Sequence, residues 1–84
     1  MSKKEKLIKR LKSKPKNFTY DELKTLLNYL GFNEYNKGKT SGSAVQFIGS
    51  DNRIIALHKP HPRNIIKSYK INEIIKQLEE WEMI

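Results

Sequence analysis

The residues best equipped for chemistry are two histidines, in the stretch His58-Lys59-Pro60-His61-Pro62. They are the only histidines in an 84-residue chain that carries 17 Lys and Arg. Imidazole is the side chain whose unperturbed titration lies nearest neutral pH. Set among fixed cations, it can hold a phosphodiester and also move a proton. RNA supplies the matching nucleophile. Its 2′-hydroxyl attacks the adjacent phosphorus when one group removes the proton and another neutralises the phosphate, and no metal is needed. On DNA, which lacks that hydroxyl, the same groups only bind.

Other chemistries fit less well. His58 and His61 sit three residues apart, as metal ligands can, but a stable site needs a third or fourth ligand. The chain has no Cys, and the nearest acid, Asp51, lies beyond a strand-like segment. A plainer role for one histidine is to fasten its loop by a hydrogen bond to backbone. The segment 37–43 is small and polar; its backbone N–H groups with Lys37 or Lys39 could wrap a phosphate. It is not a P-loop, because Gly38-Lys39-Thr40 lacks the upstream glycine and a clear apolar strand before it. An ordinary hairpin connection accounts for it equally well. The serines have no evident His and acid partners. Tyr29, Tyr35 and Tyr69 could stack on bases, or pack half-buried.

These groups need elements to hold them. Leu7, Ile8 and Leu11 give Lys3 to Lys12 a narrow apolar stripe, and Pro15 prevents its continuation. Thr19 and Glu22 have the spacing of a capping box, with Phe18 and Leu23 as its hydrophobic staple. Asp21 and Glu22 suit the positive end of that helix. Leu23, Leu26, Leu27 and Leu30 form its buried stripe, and Gly31 with Phe32 ends it, so a helix is predicted over about 19–30. A short strand is expected at 33–36. Val45 and Phe47 alternate with Ala44 and Gln46 as a second strand, and residues 49–52 read as a turn. Arg53 to Leu57 reads as a third strand, in an antiparallel meander. A loop pinned by Pro60 and Pro62 is expected to run to Tyr69. Ile71, Ile74, Ile75, Leu78 and Trp81 then mark a final helix. The order α-α-β-β-β-α makes a two-layer α+β fold in a single domain, residues 1–84.

The charge is uneven. The net charge is +8, but residues 1–17 and 37–70 are strongly basic while 18–36 and 71–84 are mildly acidic. Two basic blocks of this kind read as an electrostatic footprint for a polyanion. A solvated lysine surface is the plainer alternative. The lack of Cys removes disulfides and thiolate metal sites and fits a reducing compartment. No apolar run approaches the roughly 20 residues of a membrane span. The first residues are basic but lack the apolar stretch of a secretory signal. A cytoplasmic, soluble protein without a membrane partner is expected. Reading of a DNA major groove by the last helix is disfavoured by Glu73, Glu79 and Glu80.

One further pattern runs along the chain: Phe32, then Gly38-Lys39-x-Ser41-Gly42-Ser43, Val45-x-Phe47, His61-Pro62 and Lys67 before the final amphipathic helix. In this order and spacing it resembles the HicA family of toxin ribonucleases, from about Phe18 to Leu78. Residues 1–17 then read as a basic helical extension to a HicA-like core at 18–84. The resemblance implies a fold similar to a double-stranded-RNA-binding domain: a three-stranded antiparallel sheet with helices on one face. It implies metal-independent and cofactor-free cleavage of mRNA that arrests translation. It also implies neutralisation by a cognate HicB-like antitoxin that covers the active surface. Gly42 and Ser43 match the family's Gly-Ser before its catalytic strand. His61-Pro62 matches its Arg-His-Pro step, with Pro60 where arginine is usual. The departure is Ala44, at the place where the family's catalytic histidine projects. Three accounts stay open: a deliberate inactivating substitution, a branch in which His58 or His61 acts, and a binder that does not cut. The expected roles are phosphate contacts for Lys37, Lys39, Ser43, Lys59, Arg63 and Lys67, proton transfer for His58, and assistance or loop shaping for His61. The rival function is a non-catalytic RNA-binding module.

Overall fold

The computed structural model describes residues 2–35, 44–60 and 63–84. Helix α1 (Lys3–Lys12) starts at Ser2, whose hydroxyl accepts the Glu5 N–H at 3.2 Å. It ends at Ser13, with Lys14 in the left-handed region and Pro15 immediately after. Helix α2 (Tyr20–Tyr29) carries the capping box in full. The Glu22 N–H donates to the Thr19 hydroxyl at 3.1 Å, and the Thr19 N–H donates to the Glu22 carboxylate at 3.0 Å. At its far end the Gly31 N–H donates to the Asn28 carbonyl and the Phe32 N–H to the Leu27 carbonyl. This is a Schellman ending, and Gly31 takes the positive φ of 93° that it requires.

Three strands follow: β1 (Asn33–Tyr35), β2 (Ala44–Ile48) and β3 (Ile54–His58), antiparallel in the order β1-β2-β3. Val45, Phe47, Ile55 and Leu57 are buried, while the alternate residues of β2 and β3 are half-buried or exposed. A strand pattern of period two thus puts one sheet face against the helices and leaves the other to solvent. Asp51 and Asn52 turn the chain between β2 and β3 with φ of 58° and 59°, a region these two residue types tolerate. Helix α3 (Ser68–Glu80) buries Ile71, Ile74, Ile75 and Leu78. The buried side chains of all three helices and the sheet form one core. The fold is α+β, like a double-stranded-RNA-binding domain, with one additional helix at the N-terminus.

Element order agrees with expectation; some edges do not. The third strand runs one residue later than 53–57, because Arg53 closes the turn through its N–H to the Ser50 carbonyl. The final helix starts at Ser68, inside the stretch expected as loop. Its first turn is mostly exposed, so no apolar periodicity marks it. The described part of the first strand ends at Tyr35; Asn36 and the connector 37–43 lie outside the described residues. No described helix is long and apolar enough to cross a membrane.

Candidate nucleic-acid interface

The register of the sheet brings the two positions of greatest interest together. Ala44 and His58 are direct partners across β2 and β3. Opposed residues in an antiparallel pair project from the same face, with Cα atoms about 4.5–5.5 Å apart. Both belong to the outward-facing set of their strands, Ala44 half-buried and His58 exposed, since Val45 and Leu57 take the buried positions beside them. His58 therefore stands next to the place where position 44 projects.

The chain beyond β3 is fastened to the start of α2. The Ile66 N–H donates to the Phe18 carbonyl at 2.8 Å, and the Tyr20 N–H donates to the Asn64 carbonyl at 3.0 Å. Thr19 and Ile65 form an isolated antiparallel bridge, and the Asn64 amide donates to Asp21 at 3.1 Å. These bonds hold residues 63–67 alongside the end of β3 and leave an open groove of about 1020 Å³ between them. His58, Lys16, Lys59, Arg63, Lys67 and Lys70 line it, and no carboxylate does so among the described residues. Lys67 is the N-cap of α3, whose first turn holds no acid. The positive end of that helix dipole therefore adds to the cationic field of the groove wall. Tyr69, at 62% exposure, presents an aromatic face on the same wall.

Lys59 is held differently from the other cations. It follows His58, so its side chain turns back toward the helix layer, and its ammonium lies 5.7 Å from the centre of the Tyr20 ring. The Tyr20 hydroxyl donates to the Glu34 carboxylate, which Lys24 also pairs at 3.2 Å. Burial, with the Glu34 hydrogen bond second, holds the Tyr20 phenol protonated well above its usual range. The same hydrogen bond, aided by Lys24 and opposed by burial, holds Glu34 below the usual carboxylate range. This network holds the Tyr20 ring against which Lys59 lies at the groove edge.

Ala44 from β2 thus lines one groove with His58, Lys59, Arg63 and Lys67 from the end of β3 and the segment after it. Lys37, Lys39, Ser43 and His61 lie outside the described residues. Sequence reasoning missed Lys16 and Lys70 as groove residues. Lys70 had a signal, its place in the basic block 37–70 immediately before Ile71. Lys16 had none, because only the pairing of 18–20 with 64–66 carries it there. Of the three tyrosines that could stack on bases, Tyr69 lines the groove; Tyr29 and Tyr35 are exposed elsewhere.

A family profile described as the HicA toxin of bacterial toxin–antitoxin systems matches residues 20–79. The chain belongs to the HicA toxin family. No curated protein and no solved structure matches it significantly. The HicA match runs from the first residue of α2 almost to the end of α3, so it takes in the whole sheet; α1 precedes it. As a HicA toxin of a toxin–antitoxin system, the protein has a cognate antitoxin as its partner.

Proposed function

We propose that this HicA-family toxin is an endoribonuclease that cleaves mRNA in the cytoplasm without a metal or cofactor, and so arrests translation. The observation that carries this is the pairing of His58 with position 44 at the mouth of a groove lined by cations. The resemblance puts the family's catalytic group at position 44. An imidazole on the directly opposed residue reaches the same space from the neighbouring strand.

In the proposed reaction His58 removes the proton from a 2′-hydroxyl. The oxygen attacks the adjacent phosphorus while Arg63 and Lys67 neutralise the charge that gathers on the phosphate oxygens. The new O2′–P bond replaces the P–O5′ bond, giving a 2′,3′-cyclic phosphate and a 5′-hydroxyl end. The departing oxygen takes its proton from His61 or from water. Tyr69 offers a face for the base beside the cut. A HicB-like antitoxin would silence the enzyme by filling the groove, with acidic side chains toward Lys16, Arg63, Lys67 and Lys70.

The test is to convert His58 and His61 singly to Ala and measure growth arrest and RNA cleavage. Loss of a general base costs about 10²–10⁴-fold in rate, and His58→Ala is expected to show it. If both variants cleave as well as the parent, the assignment of proton transfer to these histidines is wrong. If the parent binds RNA with strong salt dependence but yields no fragments at any pH, and Ala44→His does not produce them, the protein is a binding module and not a nuclease.

A further inference from the structure

The segment before residue 20 lies outside the HicA match, yet α1 is built into the same core. Leu7 and Leu11 are buried there. The Arg10 guanidinium donates to Glu22 at 2.6 and 3.2 Å and to Asn17 at 3.0 and 3.1 Å, and lies 5.5 Å from the centre of the Phe18 ring. The helix is therefore held in place and is not a loose tail.

What it displays is mainly positive charge, with Glu5 in the first turn as the one acid of the helix. Lys6, Lys9 and Lys12 recur every third residue on the side away from Leu7 and Leu11, and all three are exposed. Ion pairs among the described residues join Arg10 to Glu22, Lys24 to Glu34 and Lys70 to Glu73, and none includes a lysine of α1. Like charges at this spacing repel along a helix. A ten-residue helix is also too short to be stable alone, so its core contacts must hold this repulsive row in order. Beyond the helix the basic path continues through Lys14 to Lys16, which lines the groove.

We infer that the lysine row of α1 is a second contact for the RNA backbone, continuous with the groove through Lys16. The inference rests on the nuclease proposal for the kind of polyanion bound. At 1.5 Å per residue α1 is about 15 Å long, so it can follow a strand over more than one phosphate. The contact is to phosphates, carries no sequence information, and anchors the strand whose cut site lies at His58.

The experiment uses the full chain with Lys6→Gln, Lys9→Gln and Lys12→Gln together, and Lys9→Gln alone. Affinity for a labelled, 2′-O-methylated single-stranded RNA is read by fluorescence anisotropy between 50 and 200 mM salt. Each phosphate contact contributes about 0.7 to the slope of log affinity against log salt on single strands. The triple variant should lose about 2 from the slope of the parent, and Lys9→Gln about 0.7. Arg10 and the buried leucines are untouched, and relief of the repulsion along the row means that circular dichroism should show a melting temperature no lower than that of the parent. A triple-variant slope equal to that of an RNA-binding parent overturns the inference and leaves the groove proposal standing. Unchanged RNA binding with weakened capture of the purified antitoxin also overturns it, and gives the lysine row to the antitoxin. A parent that binds no RNA at any salt overturns the groove proposal and the inference together.

Discussion

Glu22 serves two elements at once, and its replacement by Gln separates them. One carboxylate oxygen caps α2 by accepting the Thr19 N–H, and both oxygens receive the Arg10 guanidinium that holds α1. Gln keeps the size and one acceptor oxygen, so the cap survives in large part and the charge is lost. A hydrogen bond to a charged group is worth about 1.5–3 kcal/mol, and a solvated surface pair at most about 1 kcal/mol. Arg10 and Glu22 are each about one-third exposed, 35% and 29%. The pair therefore lies between those limits, at about 1–1.5 kcal/mol. For a domain of this size that lowers the melting temperature by about 5–10 °C at pH 7.

The pH dependence gives the sharper assay. The Arg10 hydrogen bond, opposed by burial, holds Glu22 below the usual carboxylate range. A carboxyl depressed in the folded state contributes fully above its unfolded pKa of about 4.3, and its contribution disappears as pH falls through the folded value. The gap between parent and Glu22→Gln should thus be full at pH 7 and close in strong acid. Glu34 is depressed as well, but it is present in both proteins and cancels from the difference. Thermal unfolding by circular dichroism across this range decides the matter. An equal gap at pH 7 and at pH 2.5, or none at pH 7, would show that the ion pair does not hold α1.

Ala44→His places a second imidazole beside His58 on the half-buried outward side of β2, so stability should move by about 1 kcal/mol or less while RNA cleavage rises by about 10²-fold or more; an RNA fragment assay with unchanged cleavage in a folded variant would refute the placement of position 44 at the reacting phosphate. Glu82 ends α3 at φ 56°, with the Met83 N–H donating to the Leu78 carbonyl at 2.9 Å, and Glu82→Gly should raise stability by about 1 kcal/mol in thermal unfolding. Tyr20→Phe keeps the ring beneath Lys59 but removes the hydrogen bond to Glu34; denaturant unfolding should show a loss of about 1.5 kcal/mol, and NMR titration should find the Glu34 carboxyl nearer its usual range. Gly49→Ala would set a Cβ 2.9 Å from the Phe32 ring, an overpacking expected to cost about 1–3 kcal/mol by chemical denaturation.

Local grammar was enough to specify most of the elements. Thr19 with Glu22, and Gly31 with Phe32, bracket α2 because caps satisfy backbone groups within a few residues of themselves. Val45 and Phe47 announce β2, and Ile71 to Leu78 announce the buried side of α3, because period two and period 3.6 are properties of the chain alone. The cationic character and the HicA motif order were equally plain. What no local pattern contained was which residues meet. His58 faces Ala44 only through the strand register, which depends on the whole buried face of the sheet. Lys16 reaches the groove only because residues 18–20 bond to 64–66. Glu22 reads in sequence as a cap and an exposed acid; it becomes the fastening of α1 only when Leu7 and Leu11 bring Arg10 against it. Such pairings join residues distant in sequence, and their free energy comes from burial that exists only once the chain has folded.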